Sequence, residues 1–369
     1  MKKFLSYSFF LLIFLVFPAI VHAAGSSSPN PASLDFTDFA VFGDHRVQLG
    51  RGTDVDPEDP DPDNPDDPTT INGGLTGSNG DMRVFAKAQT QGLYGQGELN
   101  GGREVNVNGD VVFNDNVMLY TTTHVTGDVD SGKDLKVGKN ATIDGNATSG
   151  GSFDLSSGVV IGGSQHPGGT PEVFTPVTLP SETIFGAGSM DVHSGAGDTI
   201  TLLPGSYDDI NLGRMNVLNL TAGKYYMDTF HLGLESVINI DLSGGQFELY
   251  VVKDITIGRE TDMFLTNGDA DDVYMEAGRN WRSYSYSTLY GTVYAHNNLV
   301  LGRKNDFTGA LYSGHNLTIY SGSTINFDLN CNFTDDGCTT QSTAVPEPGT
   351  MALLGSGLLG AFGLRRKKI

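Results

Sequence analysis

The chain has 369 residues, of which 43 are acidic and 22 basic, giving a net charge of −21 near neutrality. Such a surface repels nucleic acid and anionic membranes, so neither is an expected partner of the exported body. Forty-nine glycines with few helix-forming runs exclude a helical protein, two cysteines exclude a disulfide-dense scaffold, and the length suffices for a large core.

At the N-terminus, Lys2 and Lys3 precede an apolar run from Phe9 to Ile20. Val21-His22-Ala23 then supplies the small residues that signal peptidase prefers before a cut near Ala23 and Ala24. Residues 1–23 therefore read as a signal peptide, and the mature protein is exported. A Ser/Pro/Asn lead covers residues 24–33, and a first strand pair is expected at Phe39–Phe42 and Arg46–Leu49. From Thr53 to Pro68 runs TDVDPEDPDPDNPDDP, with eight carboxylates and five prolines in sixteen residues. Proline removes donors and like charges repel, so residues 53–70 form an extended acidic loop. Asp54, Asp56, Asp59, Asp61 and Asp63 are weak calcium candidates, since the prolines forbid a tight glycine-centred wrap and no bidentate Glu follows. No cofactor is expected.

The next segment repeats. Gly109, Gly127, Gly145 and Gly163 stand eighteen residues apart, and the apolar pairs Val117/Leu119, Leu135/Val137 and Phe153/Leu155 keep the same step. Within each unit apolar and polar residues alternate, so every second side chain points to one face. An antiparallel sandwich also has alternating short strands, but it has no reason to keep one spacing through four units. The expected fold is therefore all-β, a parallel β-helix or β-solenoid with one turn per repeat, right-handed winding being the expectation. Glycine suits each corner because it takes a positive φ without a Cβ clash. The solenoid is expected over 34–344, with regular turns over 105–170 and longer ones over 171–330. There the marks Asn211-Leu212-Gly213-Arg214, Thr256-Ile257-Gly258-Arg259 and Val300-Leu301-Gly302-Arg303 fall 45 and 44 apart.

Candidate chemistry is sparse. Asp208 with Asp209, Asp269 with Asp271 and Asp272, and Arg279 with Arg282 are what a polysaccharide lyase or glycosidase on this fold would need, but each pair also suits a turn or a solvated loop. The segment GRNWRSYSYS is the most site-like: Trp281, Tyr284 and Tyr286 would stack on sugar rings while Arg279 and Arg282 bond hydroxyls or carboxylates. The alternative is that Trp281 seals the edge of the coil. Histidines 124, 193, 231, 296 and 315 show no ligand spacing. Cys331 and Cys338 would close one short loop as a disulfide in an oxidising compartment, free thiols being the alternative; a metal would need more ligands than this pair offers.

The chain ends on Val345-Pro346-Glu347-Pro348, fourteen apolar or small residues from Met351 to Leu364, and then Arg365, Arg366, Lys367 and Lys368. As a helix the fourteen would span about 21 Å against a hydrocarbon core of about 30 Å, so the segment reads as a transient membrane anchor or address. The three ordered elements over residues 345–369 resemble the PEP-CTERM sorting signal. That resemblance implies processing by a membrane-embedded exosortase near Pro346-Glu347-Pro348. It also implies delivery to the envelope or outer surface of an exopolysaccharide-producing Gram-negative bacterium. Removing residues 1–23 and 345–369 leaves 16 basic against 42 acidic residues, a charge of −26.

Across residues 35–330, the GDV turns and the stretch from Thr201 through Ile319 also resemble exported β-helical envelope domains of unknown function, and more faintly the polymer-forming bactofilins. The resemblance implies the architecture and no catalytic residue. The expectation is thus a non-enzymatic structural or adhesive protein of the envelope or extracellular matrix, associated with exopolysaccharide in a biofilm. Anionic exopolysaccharide, other envelope proteins and further copies of the chain are its expected partners. A carbohydrate-active enzyme is the first alternative. An ice- or surface-binding module is the second, with YTTTHVT as its only threonine-rich stretch.

Overall fold

The computed structural model describes residues 30–51, 67–327, 331–334 and 337–340. The signal-peptide cleavage residues Ala23 and Ala24, the carboxylates Asp54 to Asp63, the sorting residues Val345 to Pro348 with Arg365 and Arg366, and the apolar segment 351–364 lie outside the described residues. Cys331–Thr334 and Gly337–Thr340 form an antiparallel hairpin, but the Cys331–Cys338 bridge concerns side chains outside the description.

The eighteen-residue period becomes one turn of a three-sided column. In one turn Asn106–Val107 lies on the first side, Val111–Phe113 on the second and Val117–Leu119 on the third. The next turn stacks on it in parallel, with His124 on Asn106, Val129 on Val111 and Leu135 on Val117. The alternation places Val107, Val111, Phe113, Val117, Leu119, Val125 and Val129 inside the column, none more than 2 % exposed. Each such burial contributes about 1.5–3 kcal/mol, and the stacking spreads that contribution along one continuous core. The fold is a β-solenoid.

Its corners differ from expectation in their physical cause. Gly127 and Gly145 turn the first side into the second, but only Gly109 of that series has positive φ (148°). A Cβ on Gly127 or Gly145 would lie 2.1–2.2 Å from Asp110 or Asp128 Oδ1, so close approach demands the glycine. The left-handed residue of each turn sits instead between the third and first sides and is rarely glycine: Glu104, Thr122, Asn140, Met215, Glu235, Glu260, Tyr286 and Lys304 have φ of 52–63°. Glycines two positions before several of these, such as Gly213, Gly233 and Gly258, lie against the previous turn, where a Cβ would come within 2.3–2.5 Å of its backbone. The Gly-Arg marks are therefore one corner of the column. Turns of 20, 25 and 26 residues between Ile210, Phe230, Ile255 and Trp281 explain their wide spacing.

Spatial order departs from chain order. On the third side the sequence of strands is 153–155, 135–137, 117–119, 99–101, 81–84, 46–51, 316–320, 299–301, 281–283, 255–257, 229–232, 209–212 and 192–194. The chain enters in the middle of the column and winds to one end at Pro167. It then returns along the outside, resumes at the other end at Val192 and winds back to the middle. There Asp306–Ser313, Asn316–Tyr320 and Thr324–Asn326 lie beside Phe39–Gly43, Arg46–Arg51 and Thr70–Asn72. Phe39–Gly43 and Arg46–Arg51 consequently do not pair with each other, as the sequence suggested; they occupy two sides of one turn and pair with turns above and below.

Residues 168–191, expected to close the regular turns at 170 and begin the longer ones at 171, form a strap along the outside of the second side. Asn114 clamps it by donating from Nδ2 to the Phe174 carbonyl (2.8 Å) while the Phe174 N–H donates to Asn114 Oδ1 (2.9 Å). Asn79 repeats the arrangement with Val177 at 2.7 and 2.8 Å. Further on, the Tyr294 hydroxyl donates to the Pro180 carbonyl (3.0 Å), and Phe185 packs against the stacked rings of Tyr226 and Tyr250. Under the strap Phe39, Phe42, Tyr94, Val112, Tyr294 and Tyr312 join Phe174 and Val177 in a second apolar cluster outside the main core.

Candidate functional site

The segment GRNWRSYSYS is a turn of the column, not a loop. Trp281–Ser283 is a strand of the third side whose neighbours are Ile255–Ile257 and Leu299–Leu301. Trp281 points inward and is wholly buried, so its ring is unavailable to a sugar, and its role is to fill the core. Tyr286 holds the left-handed corner position. Arg279 pairs with Asp254. Arg279, though paired, is exposed, as are Arg282, lying over the Tyr284 ring at 5.7 Å, and Tyr284 itself, 43 % exposed.

Stacking brings Asp208 and Asp209 together with Asp228, their carboxylate oxygens all within 4.8 Å of one another. Partial desolvation, followed by repulsion from Asp191, Asp209 and Asp228, pushes the Asp208 carboxyl above its ordinary range. Asp209 accepts from the Thr229 hydroxyl (2.6 Å) and Asp228 from Lys253 Nζ (2.5 Å), so the cluster is internally bonded. Asp269, Asp271 and Asp272 belong to a capped 3₁₀ turn, the Asp269 side chain accepting from the Asp271 N–H and Asp272 from the Asp269 N–H. Among the histidines, His124 meets Asp144 at 2.9 Å, and His296 meets the buried Glu276 at 2.7 Å beneath the strap.

The three sides differ in surface chemistry. The strap covers much of the second. The first is open and carries two straight rows of mainly short side chains. Stacked register runs Thr288, Asp306, Thr324, Thr70, Gln89, Asn106, His124 and Thr142. Two residues further along each strand come Asn219, Asn239, Phe264, Tyr290, Thr308, Asn326 and Asn72, so two aromatic rings stand within the second row. Asn239 donates to Asn219 Oδ1 (2.9 Å) and Asn72 to Asn326 Oδ1 (2.8 Å), which holds these amides in line. No lysine or arginine interrupts either row.

On the third side the outward positions run Thr256, Arg282, Val300, Thr318, Gln48, Arg83, Asn100, Met118, Lys136 and Asp154. A hollow of about 630 Å³ lies over Arg282, Val300, Thr318 and Gln48, bordered by Asn280, Asn298 and Asn316. Through Arg46 and Gln48 it continues into a second hollow of about 260 Å³ at Arg83, Glu98 and Asn100. Sequence reading missed Arg46, Gln48 and Arg83 because the groove crosses the place where the two ends of the chain meet. Only the register of Arg46 on Asn316 and of Gln48 on Thr318 brings these residues, in two adjacent rows, beside Arg282, and no local spacing encodes it.

Among known proteins, no curated sequence matches the chain. Two solved structures are similar to it at low scores. An ice-binding protein from the Antarctic ascomycete Antarctomyces psychrotrophicus is 13 % identical, with 79 % of this chain and 96 % of that one covered and a TM-score of 0.31. An ice-binding protein from an Antarctic Flavobacteriaceae bacterium is 11 % identical, with 80 % and 98 % covered and a TM-score of 0.28. The family model of the PEP-CTERM protein-sorting motif matches residues 344–367, a stretch that contains Val345 to Pro348 and Arg365 with Arg366. The chain thus carries the PEP-CTERM sorting motif and is an exported protein of the cell envelope or surface, sorted by exosortase.

Proposed function

We propose that the column is a non-catalytic adhesive scaffold of the outer envelope or matrix, gripping exopolysaccharide through its open first side. The observation that carries this reading is the pair of straight rows there, in which threonine and asparagine predominate and whose hydroxyls and amides match the hydrogen-bonding groups of a sugar polymer. Successive turns repeat about every 4.8 Å, so an extended chain meets a further hydrogen-bonding group at most turns of the side. The producing organism is then a Gram-negative bacterium that makes a biofilm, and the membrane segment anchors the protein only until exosortase acts.

The test is cosedimentation of the exported protein with the exopolysaccharide of its own strain. The variant T70K/T308K/T324K, which places three bulky cations on the rows, is expected to lose most of the bound fraction, whereas equal retention by the variant would refute the reading. The same rows favour a second reading, contact with ice, because a flat side rich in threonine and asparagine and free of lysine and arginine suits an ordered water surface. Inhibition of ice recrystallisation that vanishes in the same variant, without any polysaccharide binding, would establish that reading instead.

A further inference from the structure

The third side carries an arrangement that the first does not. In a chain of charge −21, Arg282, Arg46 and Arg83 face one groove, and among the described residues none of the three has a carboxylate within ion-pair distance. By contrast Lys133, Lys136, Lys224, Lys253, Arg259 and Arg279 are each neutralised by an acidic neighbour. Arg83 is held over the Phe85 ring at 4.6 Å and Arg282 over Tyr284, so both guanidiniums are braced by aromatic faces. Arg46 stands three turns from Arg282 and one from Arg83. With turns about 4.8 Å apart, the three span about 19 Å along the axis.

We propose that this groove binds an anionic polysaccharide, a uronate polymer lying parallel to the column axis. Its carboxylates would pair with Arg282, Arg46 and Arg83, while the sugar rings rest on Val300, Thr318 and Gln48. The planar guanidinium forms two parallel bonds to a carboxylate, which makes arginine suited to this recognition. Asp81, in register with Arg46, and Glu98 border the groove beside Arg83, and Asp254, already paired with Arg279, borders its other end; the three repel a chain that drifts from the Arg282–Arg83 row. The inference rests on the adhesive reading and names the ligand class of a second surface, distinct from the open side.

The experiment titrates the exported protein with polygalacturonate and, separately, with neutral dextran of matched length. Polygalacturonate is expected to bind and dextran not to bind through the groove. Each single change R46Q, R83Q or R282Q is expected to weaken polygalacturonate about tenfold, the cost of one charge-assisted pair, and the triple variant at least a hundredfold. Raising salt from about 50 to 500 mM should weaken it too, because the groove is open to solvent. Unchanged melting of the triple variant establishes that folding is intact. R214Q, outside the groove, and T70K/T308K/T324K, on the open side, should keep wild-type affinity for polygalacturonate. Equal affinity of wild type and triple variant for polygalacturonate, dextran binding that the triple variant loses, or no binding of polygalacturonate by the wild type would overturn the groove. Loss of host-polymer cosedimentation in the open-side variant, with polygalacturonate affinity intact, separates the two surfaces.

Discussion

At the scale of single residues, Trp281 shows how polar neighbours mislead. Flanked by arginines, serines and tyrosines, it reads as a binding aromatic, yet it stands eighteen residues before Leu299 and points inward in the same register. The period, not the neighbourhood, decides its direction. W281A is expected to destabilise by about 3–5 kcal/mol, whereas Y284A on the surface should change stability by less than about 0.5 kcal/mol, both measured by urea unfolding. Glu276 is a second case. Burial alone would raise its carboxyl. However, His296 and the Thr183 N–H and hydroxyl (2.7, 2.9 and 2.8 Å) outweigh that effect and hold it below the usual carboxylate range. A depressed folded value means the bonding stabilises the protein fully above the unfolded value near 4.3 and is lost as pH falls through the folded one. Thermal melting should therefore drop on acidification below about pH 4.5, and E276Q should remove part of that dependence while lowering stability at neutral pH. A Glu276 contribution that does not vary with pH would contradict this assignment.

At the scale of elements, the strap is the feature that hydrophobic alternation could not reveal. Residues 168–191 contain scattered aromatics and prolines without a period, because they cross the turns and meet each only once. Asn79 and Asn114 hold the strap by mimicking a neighbouring strand, each side-chain amide both donating and accepting. Each clamp makes two bonds of about 1 kcal/mol each, so N79A and N114A should each cost about 1–3 kcal/mol, with nearly additive effects. Limited proteolysis should show faster cleavage within 168–191 in the double variant; an unchanged rate would mean that the apolar cluster alone retains the strap. The regular turns, by contrast, were legible: the stacking of Val111, Val129 and Ala147 is what the eighteen-residue spacing states.

At the scale of the whole molecule, the column is a permuted solenoid. Read in space, turns 192–326 run into turns 39–167, and every side is continuous across the junction. A permuted chain that begins at residue 192, links residue 327 to residue 39 and ends at residue 167 should keep the column and lose only the strap. Its circular dichroism should match the wild type, with a lower melting temperature. Because the native junction joins segments about 270 residues apart, the wild type should refold more slowly than the permutant. This junction also explains why the groove was illegible: Arg46 and Asn316 become neighbours only after both halves have wound.

The middle entry and exit of the chain have a mechanical consequence. A load arriving through either flanking segment does not peel a terminal coil away one layer at a time. It meets Phe39–Gly43 and Thr324–Asn326 deep within the stack, each bonded to layers on both flanks, and must tear several backbone ladders at once. The protein is suspended at its waist like the beam of a balance, with both tips left free.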